Sequence, residues 1–226
     1  MANLPNIDYK KPNKNPTVES PASFTVLPFY KDLDYFASSN NLVSFIKAVE
    51  KLVRTHDDYK LYKSKLFGIG LTYCQVLSNI DERDFMDEED HNNTTNKSLL
   101  EMHHGPVFTL FDIAYIIINW AIKTERRDIT TFKIAEIILA EHFNNNVQVV
   151  MLSKTVHEQV HEGNIFISFH QAFGDLNAFV KKYEKGLDTI MIKKLNKYIE
   201  RSIEYGSFDK GVLELNRTVK DWSERL

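Results

Sequence analysis

A single cysteine, Cys74, occurs among the 226 residues. This excludes a disulfide framework and any zinc ribbon built on paired cysteines. Long apolar runs are also missing. No stretch approaches the roughly 18 apolar residues that a bilayer-spanning helix needs, so an integral membrane protein is not expected. The opening MANLPNIDYKKPNKNP lacks the apolar centre of a secretory signal. Surplus positive charge is absent too: 28 Lys and Arg face 31 Asp and Glu, giving −3 and a pI near 6.2. That balance excludes a protein that coats nucleic acid by bulk charge. It is uneven, however. Residues 81–90 hold seven acids and one arginine, a net −6, so the rest of the chain sums to +3.

Proline is nearly absent beyond the start, with five of six in the first 28 residues. Residues 1–28 therefore read as an extended arm that buries little, with Phe24 or Phe29 available for docking. Residues 29–98 read as a helical region. Leu42, Phe45, Ile46, Val49 and Val53 recur at helical spacing behind an Asn40 or Asn41 cap. A second helix is predicted from Asp57 to Leu77, with Leu61, Leu66, Ile69, Cys74 and Leu77 inward. Residues 81–98, polar and acidic, read as a surface loop.

From Leu99 the pattern becomes richer. Thr109 and Asp112 form a capping box ahead of Ile113, Ile116, Ile117 and Trp120. A further helix is predicted from Thr131 to Phe143, carrying Ile134, Ile138, Leu139 and His142. Val147, Val149, Val150 and Met151 suit a strand, and Ser153 can cap a short helix that Gly163 ends. Ile165–Ile167 reads as another short strand, and two or three amphipathic helices complete the chain from about Asp175. The fold class expected is mostly α with a small β element, α+β.

Histidine is the residue type that points to chemistry. His157 and His161 lie one turn apart on the Ser153-capped helix, where two imidazoles can chelate one metal ion. His103 and His104 are adjacent at a strand end, so their side chains point to opposite faces. One can bind metal while the other takes a proton from water, a combination suited to phosphodiester hydrolysis. His142 and His170 read as surface or core-edge residues.

These residues resemble a known family. LEMHH, at Leu100–His104, is similar to the first strand of the HNH, or ββα-metal, endonuclease finger, L-E-x-[DH]-H. VVMLSKTVHEQVHEG, at Val149–Gly163, resembles its second strand and helix. The likeness covers residues 99–167 and extends to HNH-like proteins of large bacteriophages, in which a helical insert separates the halves. It implies a ββα-metal core with a helical insertion in residues 99–167, followed by C-terminal helices in 168–226. His103, His157 and His161 would bind one divalent ion (Mg²⁺, Mn²⁺, Ni²⁺ or Zn²⁺), His104 would be the general base, and Glu101 would orient a ligand. Gln148 stands where the family has its middle Asn, a departure that fits loss of activity; Asn146 is near but out of register. Ser153 and Val156 replace zinc-ribbon cysteines, and 52 residues separate His104 from His157.

The function expected from the resemblance is metal-dependent cleavage of DNA in the host cytoplasm. Lys181, Lys182, Lys193, Lys194 and Lys197 are candidates for backbone contacts. The alternative is a catalytically silent phage protein that binds DNA or a larger assembly through the arm or the acidic loop. A rival motif is H-E-x-x-H at His157–His161, the zincin protease signature, with Glu158 as base and Glu184 as a possible third ligand.

Overall fold

The computed structural model describes residues 31–77, 100–205 and 210–223. The expected arm and acidic loop lie outside these residues. Helix makes up 67% of the structure and the only described sheet has two antiparallel strands, so the chain is mostly α within an α+β class.

Helix α1 (Leu33–Ala37) leads into α2 (Ser39–Thr55) and α3 (Asp57–Gly68). The cap of α2 is Ser38, which accepts from the Asn41 amide, rather than Asn40 or Asn41. Helix α3 stops at Gly68 instead of reaching Leu77, because Gly70 turns the backbone to φ +99°. Its inward residues are Tyr62 and Leu66, while Leu61 and Ile69 are exposed.

Strand β1 (Leu100–His104) is followed by α4 (Leu110–Lys123) and α5 (Thr131–Phe143). The Thr109–Asp112 capping box is present in both directions. Helix α4 is strongly apolar, and Ile113, Ile116, Ile117, Ile118 and Ala121 are buried among α2, α5 and the turn at Glu184–Gly186. That turn approaches closely: a Cβ on Gly186 would lie 2.1 Å from the Ile116 carbonyl oxygen.

Strand β2 (Val149–Ser153) pairs antiparallel with β1, setting His103 opposite Val150 and Glu101 opposite Leu152. Val149–Leu152 are fully buried, which is why the strand reads as a continuous apolar run rather than an alternation. Its far side is satisfied by Phe173, which exchanges both backbone bonds with Val149, and by Gln75, which bonds Met151 through its amide N–H and its side-chain oxygen. Helix α6 (Lys154–His161) starts directly from β2 and packs on both strands. Ser153 precedes it, but its hydroxyl makes no capping bond.

Ile165–Ile167 forms no strand. No neighbouring strand pairs with it among the described residues; Ile167 enters the core and Phe166 stacks on Tyr198. Three helices complete the chain: α7 (Leu176–Lys182), α8 (Thr189–Glu204) and α9 (Lys210–Ser223).

Candidate metal centre

Strand alternation decides which side chains of LEMHH meet α6. Glu101 and His103 share one face, while Leu100, Met102 and His104 share the other. The first face lies against α6, where the i, i+4 spacing projects His157 and His161 together. One nitrogen from each of His103, His157 and His161 lies within 4.8 Å of the others, the only such group of metal-capable side chains among the described residues. The rings of His157 and His161 lie 4.9 and 5.2 Å from that of His103. Tetrahedral zinc, with Zn–N of about 2.0–2.1 Å, needs nitrogens roughly 3.3 Å apart. The Nε2 atoms of His157 and His161 are 3.0 Å apart, close to that spacing.

Proton positions follow from the partners. A carboxylate only accepts, so His157 Nδ1–H donates to Glu101 Oε2, and in the neutral ring Nε2 then keeps its lone pair. Without an ion, His161 Nε2–H fills that lone pair. An ion would take the place of this proton, and a neutral His161 would then carry its hydrogen on Nδ1. Burial, with the nearby charges of His157 and His161, lowers the pKa of His103 to about 4. His103 is therefore neutral at pH 7 and offers a lone pair. Gly105 keeps the approach clear: a Cβ there would lie 3.0 Å from His103 Nε2. The helix side of the group is open, with His157 partly exposed and His161 exposed.

His104 goes elsewhere. It faces the core, is 5% exposed, and lies with its Nε2 2.9 Å from His142 Nε2. His142 Nδ1–H donates to the Ile138 carbonyl at 2.7 Å, so its Nε2 accepts and His104 Nε2–H donates. Tyr59 stacks on His104, and Tyr62 meets His142 edge-on. Burial pushes both imidazoles down, His142 to about 4, so both are neutral. The expected base thus faces protein rather than water. His142, read as a surface or core-edge residue, is fully buried. The signal was present: with Ile134 and Ile138 it forms an i, i+4, i+8 stripe on α5.

Gln148 does not join the histidines. It is buried, lines a small cavity with Phe108, Ile113 and Phe179, and its Oε1 makes no hydrogen bond with the described residues. Asn146 instead donates to Glu141, a carboxylate 2% exposed. Burial raises the pKa of Glu141, but hydrogen bonds from Lys182, Asn146 and Tyr183 outweigh it and keep the group ionised. Of the five candidate lysines, Lys181 pairs with Glu214, Lys182 with Glu141 and Lys194 with Asp112. For the zincin motif, α6 is only eight residues long, Glu158 is exposed, and Glu184 is outside the histidine group.

No helix among the described residues is long and apolar enough to cross a membrane. No curated protein and no solved structure matches the chain. A family model described as bacteriophage G278-like virion protein matches residues 6–221.

Proposed function

The chain belongs to the bacteriophage G278-like virion protein family, and from that premise we propose a non-catalytic component of a phage particle. In it one divalent ion, held by His103, His157 and His161, pins α6 to β1. The burial of His104 carries the non-catalytic part of this reading: a base hydrogen-bonded to His142 inside the core has no path to a water on the metal. The donor set guides the choice of ion. Three imidazole nitrogens suit Zn²⁺ or Ni²⁺, whereas Mg²⁺ prefers oxygen ligands. Glu101 would hold His157 in the tautomer that ligates. The particle, rather than the host cytoplasm, is the proposed location, and neighbouring virion proteins are the proposed partners.

One observation favours a second reading, a metal-dependent endonuclease. It is supported by two paired strands with a helix against them, which the HNH resemblance implies, and by the exposed side that Glu101, His157 and His161 give the histidine group. Such an enzyme would need a base that solvent can reach.

The test combines metal content with cleavage. Purified protein is expected to bind about one equivalent of Zn²⁺, to lose it on His157→Ala, and to leave plasmid DNA intact in Mg²⁺, Mn²⁺, Ni²⁺ or Zn²⁺. Antibody detection of the chain in purified particles tests the location. Metal-dependent nicking that His104→Ala abolishes would overturn the non-catalytic reading. Casein cleavage lost on Glu158→Gln would establish the protease instead.

A further inference from the structure

The segment after α6 and the far end of α8 enclose an open cleft of about 380 Å³, within the size range of small-ligand sites. Phe166 packs against two rings, tilted by 32° to Tyr198 at 4.9 Å and stacked at 29° with Tyr205 at 5.2 Å. The Arg201 guanidinium sits 4.5 Å over Phe166 and 5.9 Å over Tyr205. Tyr205, one of these rings, is 64% exposed. Asn164, Ser168 and His170 supply a polar wall.

Arg201 is the informative group. Among the described residues it forms no ion pair, although Glu200 and Glu204 share its helix. A guanidinium held over a ring loses little freedom, and its fork of N–H donors matches phosphate oxygens in pairs. An exposed tyrosine ring already stacked on a phenyl ring accepts one more flat, aromatic plane. A single cation is too few to hold a duplex, which needs many phosphate contacts, whereas one base and one phosphate satisfy both features at once.

We propose that this cleft binds a nucleotide unit, with its base stacked on Tyr205 and its phosphate on Arg201. The unit is supplied either by single-stranded DNA or by a free mononucleotide. The site uses none of the metal-centre residues and stands independently of that reading.

Fluorescence anisotropy with labelled oligo(dT) of about ten nucleotides, a length one such site covers, tests it at about 50 mM salt, where phosphate contacts are strong. EDTA is present throughout, so failure of the metal centre cannot mimic failure here. Saturable binding is expected, with Tyr205→Ala and Arg201→Ala each weakening it about tenfold, the low end for one stacked base. Tyr205→Phe should retain binding because it keeps the ring. Lys123→Ala, on exposed α4 surface, should change it little. Competition by dTMP as strong as that by the oligonucleotide assigns the site to a free nucleotide, and competition by the oligonucleotide alone assigns it to a strand. Absence of saturable binding of both probes would overturn the proposal. So would unchanged affinity in Tyr205→Ala and Arg201→Ala, or equal displacement by a poly-glutamate peptide. Matching circular dichroism spectra would exclude misfolding as the cause of any loss.

Discussion

Mild acid should destabilise this protein through His142. Its imidazole is fully buried, accepts from His104, donates to Ile138 and packs against Tyr59 and Tyr62. Burial disfavours the charged form, and the opposing pull of the Ile138 carbonyl and of Glu141 leaves the pKa at about 4. In the unfolded chain the value returns to about 6.5. The unfolded state therefore binds more protons below pH 6.5, so stability falls as the pH drops from there toward 4. Between pH 7 and pH 5 the linkage for one such histidine amounts to about 2 kcal/mol. His104, pushed down by its own burial and by His142, with Arg54 nearby, adds loss in the same direction. Urea unfolding followed by circular dichroism at the two pH values, with EDTA present, measures it. A His142→Gln variant should be less stable at pH 7, since the buried pair is disturbed, yet lose about 2 kcal/mol less than wild type on acidification. If wild type is equally stable at pH 7 and pH 5, or if the variant loses as much as wild type, the assigned burial and pairing of His142 are wrong.

Zn²⁺ at a hundredfold excess over its Kd should stabilise wild type by about 2.7 kcal/mol, or roughly 5–11 °C in Tm for a chain of this size, and leave His157→Ala unmoved. Differential scanning calorimetry reads both. Glu101→Gln should weaken the ion's binding by about 10–100-fold while sparing the fold, as seen by isothermal titration calorimetry, because only the orientation of His157 is disturbed. Gly186→Ala should cost at least the usual 1–3 kcal/mol of overpacking in a urea titration, since its Cβ meets the Ile116 oxygen at 2.1 Å.

Where signals were local, the sequence was readable. The Thr109–Asp112 box marked the start of α4, and α5 runs over Thr131–Phe143 as its periodicity predicted. The run Val149–Met151 before Ser153 marked β2 and α6. What failed depended on distant partners. Ile165–Ile167 has strand-forming residues, but a strand exists only where another backbone pairs with it, and here Phe166 found aromatic rings instead. Leu61 and Ile69 are apolar yet exposed, since α3 turns Tyr62 and Leu66 inward. At the candidate site, the His157–His161 spacing and the opposed faces of His103 and His104 were legible from helical and strand geometry. The destination of His104 was not. Nothing in LEMHH reveals that its second face meets α5, 38 residues away, rather than water.

The bonds that Gln75 and Phe173 make to β2 bear on the proposed place in a particle. An unpaired strand edge invites another chain to add to it, and crowding of identical copies makes such addition self-propagating. A side-chain amide at Met151 and a single bridged residue at Val149 occupy that edge without extending the sheet. In the proposed particle, copies would therefore gather at high local concentration with this edge already occupied, leaving side-chain surfaces to govern how neighbours dock.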